Sequence, residues 1–163
     1  MGYPKRICKP NLTYHICSRC IGGSHLMELN KFKDLFLKVL SMAEEKYRFE
    51  ISNYVIMPNH FHIFIKTLCS EDTISQIMQF IKSQYATRYN KMTNRIGPFW
   101  NERFKDTIID YTEDPLYVYN YICTYINFNP VRKNYVIVSI FFRTFFLTPR
   151  SDRIFMPIFL LTP

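Results

Sequence analysis

No run of apolar residues in this sequence reaches the roughly 18 that a membrane-spanning helix needs. No GxxxxGK[ST] loop is present, so the nucleotide cradle that such a loop forms is absent. The single CxxC, Cys17 to Cys20, is joined by no second CxxC and no HxxxH, which excludes a closed zinc site of the usual spacing. The cysteines number 5, an odd count in a chain of 163 residues, and this argues against a disulfide framework. They are expected to be reduced and mostly buried. The opening MGYPKRICKP leads into no apolar stretch of the kind a secretory leader requires, so a cytosolic protein is expected. Neither an internal repeat nor a linker is visible. Acidic residues are scarce in one place above all: Thr73 to Asn101 contains none.

What is present suits a folded, basic protein. Hydrophobic residues make up 48% and aromatics 17%, enough for a real core. Lys and Arg number 21 against 13 Asp and Glu, a net charge of +8 that favours a polyanionic partner, nucleic acid before an anionic membrane.

Periodicity orders the elements. Asn11–Cys20 alternates Leu12, Tyr14 and Ile16 with polar residues, which predicts a strand ended by IGGS. Asn30–Tyr47 repeats apolar residues at Phe32, Leu35, Phe36, Val39 and Leu40, an amphipathic helix with Asn30 as its expected cap. Arg48–Met57 and His60–Leu68 read as a hairpin turned by Pro58 and Asn59. Glu71–Met92 carries a stripe of Ile74, Ile77, Met78, Ile81 and Tyr85, with Thr73 as cap. Pro98–Asp110 reads as loop and strand. Thr112–Pro130 reads as a third helix with Pro115 in its first turn and its end at Pro130. The order predicts an α+β, ferredoxin-like β-α-β-β-α-β unit, a four-stranded antiparallel sheet followed by a C-terminal helix. Such a fold hosts many activities, so function has to come from a site.

Two features carry chemistry. In YVIMPNHFHIFIK, His60 and His62 sit two apart on a strand and project from one face, with Phe61 on the other. By themselves the two imidazoles suit half of a metal site, or ordinary hydrogen bonds on a half-exposed sheet. On the third helix Tyr121, Tyr125 and Asn129 are spaced four apart and share a face. A tyrosine stripe serves a core or an interface. Equally, a phenol can attack phosphorus and a carboxamide oxygen can join a metal shell. Lys82, Arg88, Lys91 and Arg95 suit either phosphate contacts or a solvated face. Phe99 and Trp100 suit either base stacking or burial.

MPNHFHIFI, followed along the chain by YINFNPVRKNYV, resembles the single-tyrosine HUH transposases, and most closely the REP-associated tyrosine transposases. YHICSR, FIKSQYATRYN and GPFWNERFKD match further pieces in the same order, so the resemblance spans residues 3–136. It implies a divalent cation, Mg²⁺ or Mn²⁺, on His60, His62 and Asn129. It implies Tyr125, rather than Tyr121, as a nucleophile that leaves a 5′-phosphotyrosine and a free 3′-OH. The implied partner is single-stranded DNA next to a hairpin, contacted by Arg6, Arg19, Lys82, Arg88, Lys91, Arg95, Trp100, Arg103 and Arg132. A homodimer or a monomer, in the cytoplasm of a bacterium or archaeon, follows from the same resemblance. A non-catalytic hairpin-binding relative and an HUH replication or mobilisation nuclease are the alternatives. Residues 1–136 form the expected domain. The apolar tail, Ile137–Pro163, departs from the polar ending of that branch. It either packs on the sheet or a partner, or is the frameshifted end of a decayed mobile-element gene.

Overall fold

A computed structural model describes the backbone of residues 7–132 and the side chains of residues 7–126. Arg6, the side chains of Asn129 and Arg132, and the tail 137–163 lie outside the described residues. The elements are β1 (Thr13–Arg19), α1 (Asn30–Lys46), β2 (Phe49–Ile56), β3 (His60–Thr67), α2 (Ile74–Thr93), β4 (Lys105–Ile108) and α3 (Pro115–Arg132). The four strands form one antiparallel sheet in the order β2-β3-β1-β4, the expected ferredoxin-like arrangement.

Alternation gives the sheet two faces. Tyr14 and Ile16 on β1, and Phe61, Ile63 and Ile65 on β3, are fully buried. They pack with the apolar stripes of α1 (Phe32, Leu35, Phe36, Val39, Leu40) and α2 (Ile74, Ile77, Met78, Ile81, Tyr85) in one core. Each stripe is the one its 3.6-residue period predicts. On β2 the apolar positions slip out of phase, from Phe49 and Ile51 to Tyr54 and Ile56. The pairing register shifts between Ile51 and Asn53 to match, so that Ile51 and Tyr54 both face the helices.

Thr73 caps α2 with a reciprocal pair: its Oγ1 accepts from the Gln76 N–H at 3.3 Å, and its own N–H donates to Gln76 Oε1 at 2.9 Å. Asn30, by contrast, is the first helical residue of α1. Leu29 precedes it in extended conformation, with no side-chain cap. Helix α3 runs through Pro130 to Arg132 instead of stopping at the proline. Lacking an N–H, Pro130 cannot donate the helical bond to the Ile126 carbonyl.

Helix α3 covers the other face of the sheet. Its Val118, Tyr119, Ile122, Cys123 and Ile126 pack on Phe64, Val55 and Ile109. The cysteines are free thiols, as expected, but only Cys20 is buried; Cys17, Cys69 and Cys123 are half-buried and Cys8 is exposed. Among the described residues, no helix is long and apolar enough to cross a membrane.

Candidate active site

The face under α3 is where the chemistry-bearing residues gather. β1 and β3 lie side by side with Arg19 opposite His60, Cys17 opposite His62 and His15 opposite Phe64. Residues opposite each other across an antiparallel pair share a face. The two expected histidines therefore point together, their ring centroids 5.1 Å apart and the rings at 85°. Phe61 between them is fully buried against Phe36 and Trp100 on the far side.

Hydrogen bonds steer both imidazoles. His60 Nδ1 is 2.7 Å from Asn59 Oδ1, and Asn59 Nδ2 donates to the Gly23 carbonyl at 3.1 Å. That carbonyl sits in the turn after β1, where Gly22 and Gly23 both adopt positive φ, 60° and 70°. His62 Nδ1 is 3.0 Å from His15 Nε2. Burial pushes His62 down to about 3, helped by the nearby His15, His60 and Arg19, and pushes His15 down to about 4. Both rings are therefore neutral at physiological pH, the form in which imidazole binds metal.

Tyr125 completes the cluster. Packing of α3 brings its ring edge-on to His62, with centroids 5.7 Å apart and planes at 86°. Tyr125 is 38% exposed. Tyr121, one turn earlier, is 63% exposed and stacks on Tyr117 at 6.3 Å. The two tyrosines that share a stripe in the sequence thus have different surroundings.

The basic residues divide between the faces. Arg19 is exposed and lies beside His60. Arg103 is exposed in the loop before β4. Lys82, Arg88 and Lys91 belong to α2, on the opposite side of the sheet from the histidines, and Arg95 follows that helix. Lys82 Nζ donates to the Glu102 carbonyl at 2.6 Å and lies 5.4 Å from the Trp100 ring centroid. Arg88 is half-buried, with Nη2 3.4 Å from Met42 Sδ. Arg95 reaches Asn90 Oδ1 and the Gly97 carbonyl, knitting the loop that follows α2. Lys91 is exposed in the last turn. Trp100 donates from Nε1 to the Lys82 carbonyl at 2.8 Å and packs edge-on against Phe61, while Phe99 is buried. Those contacts give both rings a packing role.

Sequence reasoning missed His15, Asn59 and Lys105. The alternation of β1 placed His15 on the polar side, but nothing in the sequence said that α3 covers that side. Lys105 lies opposite Cys17 and adds an exposed cation to the same face.

Residues 8–126 match the family described as IS200-like transposases. The chain belongs to the IS200-like transposase family. The family match contains both histidines and Tyr125. A REP-associated tyrosine transposase, solved bound to a REP hairpin, aligns with a TM-score of 0.66 at 22% identity, over 84% of this chain and 77% of its own. A putative transposase from Deinococcus radiodurans R1 aligns with a TM-score of 0.52 at 16% identity, over 77% of this chain and 94% of its own. At these identities the likeness is one of fold. No curated protein gives a significant match.

In this IS200-like transposase the two imidazoles could hold a metal ion through nitrogen. Among the described residues, no three His, Cys, Asp or Glu side chains lie close enough together to do so. Position 129 is one turn beyond Tyr125 on α3, and its side chain lies outside the described residues.

Proposed function

We propose that this chain is a single-tyrosine strand transferase that cleaves and rejoins single-stranded DNA beside a hairpin, with Tyr125 as nucleophile. The observation that carries the reading is the edge-on approach of Tyr125 to His62, 5.7 Å between centroids, in a chain of this family. The phenol oxygen attacks the scissile phosphorus. The Tyr125 O–P bond forms as the bond from phosphorus to the 3′ oxygen breaks. The phenol gives up its proton, and the departing oxygen ends as a free 3′-OH. Attack by a second 3′-OH reverses the step and restores the tyrosine. Phosphodiester energy is conserved in the covalent bond, so no nucleotide hydrolysis is needed.

His60, His62 and Asn129 would hold a divalent cation, Mg²⁺ or Mn²⁺, which when bound supplies Lewis-acid polarisation of the phosphate. The neutral state of His62 and its steered ring suit it to that role. Arg19 and Lys105, on the same face, would contact phosphates on either side of the reacting one. The net charge of +8 and the hairpin held by the solved REP-associated relative support a hairpin DNA partner. Tyr125 and His62 meet within one chain, which favours an active site assembled in cis.

The test is incubation of the purified protein with labelled hairpin-containing single-stranded DNA and Mn²⁺. A covalent protein–DNA adduct is expected, resistant to denaturation and absent from Tyr125→Phe. Failure of the native protein to form an adduct with DNA from its own gene's flanks would overturn the reading.

A further inference from the structure

The hydrogen bonds on the two histidines differ in one respect that bears on ligation. For His60 the polarity is determined. The Gly23 carbonyl can only accept, so Asn59 presents Nδ2 to it and Oδ1 to His60. His60 Nδ1 must then carry a proton, so ligation by His60 would go through Nε2. For His62 the partner is another imidazole, and an Nδ1···Nε2 pair admits either direction. If His62 donates, its Nε2 has a lone pair. If His15 donates, His62 Nε2 carries a proton and cannot bind a metal without losing it.

We infer that His15 is a positioning residue, accepting at Nε2 from His62 Nδ1–H and thereby fixing His62 in the tautomer whose Nε2 can ligate a cation. This rests on the reading of His62 as a metal ligand. The geometry suits a well-directed bond. The rings are within 7° of parallel and the facing nitrogens, 3.0 Å apart, are closer than the centroids, 5.1 Å apart. Phe64 packs against His15 at 5.4 Å, and Tyr125 stands against His62 on α3. Each ring thus has an aromatic neighbour besides its imidazole partner. The result is a matched pair of supports: Asn59, anchored by a backbone carbonyl, for His60, and His15 from the neighbouring strand for His62. Outer partners of this kind orient a ligating imidazole and raise its basicity.

Long-range ¹H–¹⁵N correlation spectra of histidine-labelled, metal-free protein at neutral pH read the tautomers directly, and only 4 histidines need assigning. The expected result is His62 with its proton on Nδ1 in the native protein and in His15→Gln, whose amide oxygen can accept the same bond. In His15→Leu, His62 should become a tautomer mixture. Mn²⁺ affinity measured by calorimetry should fall about 10–100-fold in His15→Leu and recover in His15→Gln. An Nε2–H tautomer for His62 in the native protein would overturn the inference. So would native-like Mn²⁺ affinity in a folded His15→Leu variant. Should the native protein bind no Mn²⁺, the metal reading fails, and the tautomer spectra still decide what His15 does.

Discussion

The Tyr125 ring stands at 86° to the His62 ring, 5.7 Å between centroids, although the two residues come from different layers of the fold. β3 supplies one and α3 the other. What joins them is the apolar seam of Ile122, Ile126, Phe64 and Val55, which seats α3 on the sheet. The expected chemistry depends on that seam as much as on the reacting groups.

Each histidine should be needed for cleavage and dispensable for folding and DNA capture. His60→Ala and His62→Ala are expected to lower strand cleavage by more than the roughly 10–100-fold typical of losing an outer partner. Hairpin affinity in a gel shift without metal should change little. Chelation of divalent ions should reproduce the cleavage loss in the native protein. Equal cleavage with and without a chelator would contradict the metal's role.

Much of this was legible in the sequence, and the misses have physical causes. The period-2 alternation of His60, Phe61 and His62 assigned each side chain its face. The stripes of α1 and α2 and the Thr73 cap followed from helical spacing. His15 was invisible because its value lies in a partner 47 positions away, a pairing set by strand order. For Trp100 and the α2 cations the sequence leaves both a DNA contact and a structural role open, because composition carries no information about which side of the sheet a helix covers. Asn30 shows how weakly local signals fix a helix start, where the difference between cap alternatives is about 1 kcal/mol.

Between the two histidines, Phe61 should matter for stability alone. Its ring is fully buried, 4.7 Å from Phe36 and 5.5 Å from Trp100. Phe61→Ala should cost about 3–5 kcal/mol in urea unfolding, the range for aromatic truncation in a core. His60→Ala, one position away but half-buried on the other face, should cost far less. Similar losses in the two variants would mean that the faces are wrongly assigned.

DNA affinity should follow the faces. Arg19→Ala, beside His60, is expected to weaken hairpin binding and to reduce the salt-dependence slope by about 1. Lys91→Ala, on the far helix layer, should leave cleavage unchanged. Binding measured from low to high salt separates the two. A larger effect at Lys91 would put the DNA on the helical side.

Alkaline pH should destabilise the fold. Burial pushes the Tyr14 phenol from 10.0 up to about 12 and the Cys20 thiol from 9.0 up to about 12, and it raises the Tyr85 phenol as well. Unfolded, these acids ionise at their ordinary values, so between about pH 9 and 12 the folded chain holds more protons. Their contribution is complete below pH 9 and is lost as pH rises, first for the thiol and then for the phenols. Urea midpoints measured from pH 8 to 11 should therefore fall. At pH 8 the exposed Cys8 should react with a thiol reagent and Cys20 should not until the chain unfolds.

The central claim is that Tyr125, rather than its neighbour Tyr121, forms the bond to DNA. Its most direct test is mass spectrometry of the protease-digested adduct formed on hairpin-containing single-stranded DNA with Mn²⁺. The account predicts a nucleotide attached through phosphate to Tyr125, an unmodified Tyr121, and no adduct from Tyr125→Phe. A nucleotide on Tyr121, or an adduct that persists in Tyr125→Phe, would contradict it.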